Sequence, residues 1–368
     1  MIVLLIIAVF FLAYSNGAND NFKGVATLFG SRTCSYKTAL SWATSTTFLG
    51  GVAAIFFAQE LITNFSGKGI LDDALIKLPF FGISIALGAA TTVYLATKFG
   101  MPISTTHALV GALTGLGLIA NTNYTFLYSI SALFLAPLLI GPFLASIMSF
   151  ATYKIFNYIR LRSNISKDYC ICVNETTQEF LYKQENEMWV AIANNPVIST
   201  CNISEEYSGK IFGITAQSII KYLHFFSAGL VSFARGLNDT PKIAAILLIT
   251  TNSNISFSLV AIAVSMALGG LINAKKVGVN MSKNITSLNE GQGFTANLIT
   301  GFLTTTASVF GLPVSTTHAS VGAIFGIGIA NKKANIKTTY KILSSWLVTL
   351  PMAAIFASLV YFALNLFS

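Results

Sequence analysis

Residues 100–117 read GMPISTTHALVGALTGLG and residues 311–328 read GLPVSTTHASVGAIFGIG, identical at 12 of 18 positions without a gap. A second shared element precedes each copy: Gly17-Ala18-Asn19-Asp20 with Lys23, and Gly236-Leu237-Asn238-Asp239 with Lys242. The order is the same in both halves. The chain is therefore a duplicated unit, and function is expected where the two copies meet.

The surroundings of these polar motifs are apolar. Of 368 residues 54% are hydrophobic and 10% charged, with a mean hydropathy of +0.70, against about 25% charged residues in soluble domains. This predicts an all-α polytopic membrane protein embedded in a lipid bilayer. The formal net charge is +9, but the Lys and Arg residues sit in short loops between apolar runs. That placement points to membrane orientation rather than to a nucleic-acid partner. Cys34, Cys170, Cys172 and Cys201 have no disulfide-framework spacing. Cys170-x-Cys172 with Cys201 lacks an evident fourth ligand for a closed metal site, and no cofactor is expected. The run MIVLLIIAVFFLAY has neither the basic start nor the small-x-small site of a cleaved signal and is read as retained.

Residues 1–14 are too short to cross a hydrocarbon core of about 30 Å, which takes roughly 20 helical residues. Apolar character returns at Phe22 after SNGANDN, so a span broken near Asn19-Asp20 is expected, its unwound backbone enclosed by protein or a polar cavity. Stretches near 38–58, 80–97, 102–120 and 124–156 complete five in the first repeat, residues 1–156. Residues 157–210 hold Asp168, Glu175, Glu179, Glu185, Glu187, Glu205 and Glu206, with strand-like alternation in YCICVNETTQEFLY, and read as a small soluble insert. The second repeat, residues 211–368, has the same plan with stretches near 212–251, 255–274, 294–310, 313–330 and 338–367. The first of these is long enough for a surface helix and a second broken span.

The loop charges alternate if each stretch is one crossing. One set of loops holds Arg32, Lys37, Lys98, Lys154, Arg160, Arg162, Lys167, Lys275, Lys276, Lys283, Lys332, Lys333, Lys337 and Lys341; the other holds Lys68 and Lys77 beside Glu60, Asp72 and Asp73. Cytoplasmic loops are rich in Lys and Arg. The expectation is a plasma-membrane protein with both termini outside, the insert cytoplasmic, and the second five-stretch repeat inverted relative to the first. Inverted repeats with broken helices or re-entrant hairpins point to a secondary transporter whose site lies near the bilayer midplane.

Ser104-Thr105-Thr106-His107 and Ser315-Thr316-Thr317-His318 each follow Gly-x-Pro and precede a Gly-rich apolar helix. The hydroxyls either cap the helix start or, with the two helix ends face to face, form an anion site of donors and dipoles. Asp20 and Asp239 each cost on the order of 3 kcal/mol at bilayer depth. With Asn19 and Asn238 they suit a small hard cation such as Na⁺, or else pair internally with Lys23 and Lys242. Arg235 stands where the first repeat has Asn16, and serves as anion ligand, gate or snorkelling residue. His107 and His318 either titrate or pack, and His224 carries no specific signal. Asn64-Phe-Ser, in an expected external loop, has the form of a glycosylation sequon.

The paired Gly-x-Asn-Asp and Gly-x-Pro-x-Ser-Thr-Thr-His motifs, with Gly293-Phe294-Thr295-Ala296 before the second of the latter, resemble the inorganic phosphate transporter (PiT) family of cation-coupled symporters. The resemblance implies phosphate held at Ser104, Thr105, Thr106, Ser315, Thr316 and Thr317, and Na⁺ as co-transported ion near Asn19, Asp20, Asn238 and Asp239. Lys23 and Lys242 depart from the pattern, which continues with small apolar residues, and are assigned to coupling or gating. The expected function is Na⁺-driven phosphate import without enzymatic activity, with a homodimer expected from transporters of this type. Sulfate or another oxyanion as cargo, H⁺ as driving ion, and a non-transporting membrane sensor are the alternatives.

Overall fold

Almost every apolar stretch of the sequence folds as a helix in the computed structural model, which describes residues 1–120, 124–176, 179–183, 189–193, 197–251, 253–284, 288–334 and 336–366. Helix α1 (Ile2–Asp20) carries the first Asn-Asp motif at its C-terminus; the chain turns at Asn21-Phe22, makes one 3-10 turn (Lys23–Val25) and resumes as α2 (Ala26–Gly30). Helix α3 (Tyr36–Phe57) starts at Ser35, whose hydroxyl accepts from Thr38 N. Short helices α4 (Gln59–Phe65) and α5 (Asp73–Ile76) lead to α6 (Pro79–Lys98), which begins on a proline that has no N–H to leave unpaired. The first motif helix is α7 (Thr105–Ala120), followed by α8 (Tyr124–Ile130), a π-helical turn at Ser131–Leu135 and α9 (Ala136–Arg162). The second half contains α10 (Ala216–Thr250), α11 (Ile255–Asn273), α12 (Lys275–Asn284), α13 (Glu290–Val309), α14 (Thr316–Ala330) and α15 (Ile336–Leu366).

The halves differ at their Asn-Asp motifs. The first break is present, though it comes after Asp20 rather than falling at Asn19-Asp20. The expected second break is absent: α10 runs unbroken through Asn238-Asp239. Lys23 is followed by Gly24, a poor helix former that packs on Ser232 where a Cβ would not fit. Lys242 is followed by Ile243-Ala244-Ala245, and Pro241 removes only the helix bond to Leu237 O.

Among the described residues six helical segments are long and apolar enough to cross a membrane: Ile2–Gly30, Tyr36–Phe57, Pro79–Lys98, Phe126–Arg162, Ile255–Asn273 and Ile342–Leu366. This is fewer than the ten crossings read from hydropathy. Helices α7 and α14, with 16 and 15 residues, reach only about 24 Å at 1.5 Å per residue; they pack against α6 and α13. Helix α10 carries Arg235, Asp239 and Lys242, and α13 is rich in Gly and Thr.

Motif-bearing helices pack across the halves. Gly17 of α1 abuts the Met266 carbonyl of α11, and Gly236 of α10 abuts the Thr47 carbonyl of α3; a Cβ at either would overlap that oxygen. Gly17 corresponds to Gly236 and Thr47 to Met266 in the duplicated sequence, so one contact is made twice.

The chain divides into two compact units, Met1–Phe156 with Ile220–Ser368, and Asn157–Ile219. In the smaller unit, β1 (Ser166–Thr176) pairs antiparallel with β4 (Val197–Ser208), from Ser166↔Ser208 to Thr176↔Val197. Strands β2 (Glu179–Lys183) and β3 (Trp189–Ala193) form a second antiparallel pair, and β5 (Lys210–Ile211) with β6 (Ile214–Thr215) a third. The side chains of Cys170, Cys172 and Cys201 lie outside what the structure describes.

Candidate functional site

Each Gly-x-Pro-x-Ser-Thr-Thr-His motif is a turn followed by a helix start. Gly100 at φ 70° and Gly311 at φ 67° end α6 and α13 in the left-handed region that glycine tolerates. Met101 N donates to Ala96 O and Leu312 N to Ala307 O, both at 2.8 Å, closing Schellman-type ends. An extended segment through Pro102 or Pro313 then leads into α7 or α14. Ser104 Oγ accepts from His107 N and Ser315 Oγ from His318 N, each at 3.2 Å. Both serines therefore cap their helices.

The two starts face each other. Thr106 Oγ1 donates to Val314 O and Thr317 Oγ1 to Ile103 O, each at 3.3 Å, and the His107 and His318 rings lie 4.3 Å apart between centroids. His318 also stacks on Trp346 at 3.5 Å, the packing role that was one of its two readings. Thr316 is buried at the first residue of α14.

The Asn-Asp motifs bracket this junction. Asn19 Nδ2 donates to Thr97 Oγ1 at 2.9 Å and Met101 O at 3.0 Å, while its Oδ1 accepts from Ile103 N at 3.2 Å. Asn238 Nδ2 donates to Val314 O at 3.0 Å and its Oδ1 accepts from Ser308 Oγ at 3.1 Å. Both amides thus hold the motif turns. Lys23 Nζ donates to Asp20 Oδ1 and Ile103 O, each at 2.5 Å, and to Thr317 Oγ1 at 2.8 Å. Lys242 Nζ donates to Val314 O at 2.8 Å and Thr106 Oγ1 at 2.9 Å, and lies 3.7 Å from Asp239 Oδ1. The internal ion pairs are therefore formed in both halves.

Asn16 joins the two halves. Its Nδ2 lies 3.0 Å from Thr105 Oγ1, 3.1 Å from Asp239 Oδ2 and 3.3 Å from Asp20 Oδ2; its Oδ1 accepts from Arg235 Nη2 at 3.4 Å. Thr105 Oγ1 donates to Asp20 Oδ2 at 3.2 Å. Arg235 Nε and Nη1 are buried without an acceptor, which excludes the snorkelling reading. Asp20, Asp239, Lys23, Lys242 and Arg235 are each no more than 5% exposed. Their formal charges leave one positive charge uncompensated. No cluster of three or more His, Cys, Asp or Glu suited to a metal exists among the described residues.

Sequence reading missed Asn16, Thr97 and Ser308 as site residues. The signal for Asn16 was its place four residues before Asp20, matching Arg235 before Asp239. His224 stands apart, its Nε2 3.0 Å from Thr27 Oγ1. Asn64 belongs to α4 rather than to a free loop, and its Nδ2 donates to Gly311 O at 2.8 Å. Asn280 of α12, a helix not anticipated from sequence, donates likewise to Gly100 O at 2.9 Å.

A sequence profile of the phosphate transporter family (PHO4) matches residues 16–357. The chain belongs to the phosphate transporter family. It is 26% identical over 408 residues to a phosphate permease homologue of Pyrococcus horikoshii, covering 98% of this chain and 97% of that protein. A protein of Rhizobium meliloti (strain 1021) described as a "probable low-affinity inorganic phosphate transporter" is 26% identical over 378 residues, covering 100% of this chain and 97% of its own length. Inorganic phosphate transporter 2-1, chloroplastic, of Arabidopsis thaliana is 26% identical over 411 residues, covering 95% and 69%. A solved structure described as the sodium-dependent phosphate transporter matches with a TM-score of 0.77 at 20% identity over 99% of both chains, which shows a shared fold. This phosphate transporter family member is thus a multi-pass membrane protein.

Proposed function

We propose that the chain carries inorganic phosphate across the plasma membrane as a secondary transporter, binding the anion beside Arg235 where α7 and α14 begin. The observation that carries this reading is Arg235, whose buried Nε and Nη1 have no acceptor. Buried donors are normally paired, and a planar guanidinium fork suits two oxygens of a tetrahedral oxyanion. The starts of α7 and α14 add backbone N–H groups and positive dipole ends. Thr105, Thr106, Thr316 and Thr317 supply hydroxyls, while Ser104 and Ser315 hold the helix ends by capping. Asp20 and Asp239, joined to Arg235 through Asn16, offer acceptors for the P–OH of phosphate. Sulfate at neutral pH has no such proton to donate, and a site built to accept one rejects it.

The burial of Asp20, Asp239, Lys23, Lys242 and Arg235 suits, in this reading, an occluded step of alternating access in which two inverted repeats rock about the anion. Both termini lie outside and residues 157–210 inside in this reading. Na⁺ coupling near Asn19, Asp20, Asn238 and Asp239 is the version that the name of the solved structural relative favours. The test is entry of labelled phosphate into proteoliposomes carrying the purified protein, with excess sulfate as competitor. Saturable entry indifferent to sulfate is expected. Binding without entry supports a sensor, and competition by sulfate moves the cargo to another oxyanion.

A further inference from the structure

Lys23 and Lys242 are not solvated countercharges. Each ammonium lies among three oxygens of matching kinds: one aspartate oxygen, the backbone carbonyl of the residue directly after a motif proline, and one threonine hydroxyl of the opposite half. For Lys23 these are Asp20 Oδ1, Ile103 O and Thr317 Oγ1; for Lys242 they are Asp239 Oδ1, Val314 O and Thr106 Oγ1. Ile103 and Val314 occupy the same motif position, as do Thr106 and Thr317. The two environments are therefore copies of one another, exchanged between the halves.

Carboxylate, carbonyl and hydroxyl oxygens are the ligands that small hard cations take. The Lys23 ammonium, with three donors, meets three acceptors, while the Lys242 ammonium donates to two and pairs with Asp239 at 3.7 Å. The Lys242 nitrogen also stands over the Phe65 ring, 5.4 Å from its centroid, which favours a cation there. We propose that these two tethered ammonium groups take the place of mobile driving cations, so that phosphate is carried by this chain without Na⁺ at Asp20 or Asp239. The inference rests on the phosphate reading above and replaces its Na⁺-coupled version. A Na⁺ ion entering either set of oxygens would have to displace an ammonium that is almost fully buried, placing two positive charges together and leaving the ammonium without its acceptors. Nor does the anion need added cations. With both aspartates paired to lysines, Arg235 leaves a net positive charge before phosphate arrives.

Exchange of labelled external for unlabelled internal phosphate tests this, using the full-length protein in proteoliposomes at fixed pH and ionic strength. Exchange needs no ion gradient, but a Na⁺-coupled carrier still needs Na⁺ present. With Na⁺ replaced on both sides by choline, the wild-type rate is expected to change by less than about twofold, and radioactive Na⁺ is expected not to enter with phosphate. A loss of about tenfold or more in choline, roughly one decade of transition-state stabilisation, or entry of Na⁺ alongside phosphate, overturns the inference while leaving the phosphate reading intact. Lys23→Asn with Lys242→Asn exposes the oxygens, and exchange by this variant is expected to become Na⁺-dependent by about tenfold. A folded variant that exchanges phosphate equally in Na⁺ and choline overturns the claim that the lysines stand in for Na⁺. Should the variant fail to yield a monodisperse protein, the wild-type cation series and Na⁺ flux decide alone. No phosphate exchange under any cation overturns the phosphate reading itself, and this inference with it.

Discussion

Arg235 departs from the twofold pattern, because its counterpart in the first half is the neutral Asn16. Its unpaired nitrogens make it costly without an anion and useful with one, so stability and binding should respond in opposite directions. Arg235→Gln is expected to weaken phosphate affinity by about 2–3 kcal/mol, roughly a hundredfold. Thermal stability without phosphate should stay level or rise, since a desolvated, partly unpaired charge is removed. The stabilisation that added phosphate gives the wild type should vanish. Melting curves with and without phosphate check both halves of this, and a destabilised apo variant would make Arg235 a structural residue. Asp20, Asp239 and the threonines were legible in the sequence because duplication repeats them. Asn16 was not, because the halves differ there and its partners lie elsewhere in the chain. Whether Ser104 binds cargo or caps α7 depends on where its oxygen points, and residue type alone leaves both readings open.

Helices α1 and α10 are placed by close backbone contact, with Gly17 against Met266 O and Gly236 against Thr47 O. Gly17→Ala and Gly236→Ala are each expected to destabilise by about 1–3 kcal/mol, the usual cost of overpacking. Gly141→Ala in α9, where an added Cβ meets nothing within 4 Å, should be neutral or stabilise by up to about 1 kcal/mol through helix propensity. Thermal unfolding in detergent measures all three, and equal behaviour would remove the close-contact explanation. The helical stretches themselves were legible, because apolar runs bounded by Gly, Pro and charges became helices. The unbroken α10 was not, because the two motifs match while their C-terminal neighbours differ: Gly24 on one side, Ile243-Ala244-Ala245 on the other. Helix α12 reads as a loop by hydropathy, since Lys275, Lys276 and Lys283 mask its turn-by-turn periodicity.

Orientation belongs to the whole molecule, because no single helix determines it. Lys and Arg bias sets membrane topology over short loops and the adjoining helix ends. Along the sequence Lys98, Lys154, Arg160, Lys276, Lys333 and Lys337 fall in one set of connections and flanking turns, and the Asp72-Asp73 pair, with Lys68 and Lys77, in the other. Among the described residues six segments qualify as spans by length and composition, so the assignment cannot rest on counting ten equal crossings. It rests instead on α6 and α13 each leading into a short motif helix, the two helix starts facing each other. If the repeats are inverted, Asp73 before α6 and Lys337 at the start of α15, both exposed, lie on opposite sides. Asp73→Cys and Lys337→Cys, each introduced into a cysteine-free background, put this to a direct measurement. A membrane-impermeant maleimide applied to intact cells is expected to label position 73 and to reach position 337 only after permeabilisation. Labelling of both from outside would mean that the halves are not inverted, and would leave the paired sites without the symmetry that lets two occluding halves exchange access to one anion.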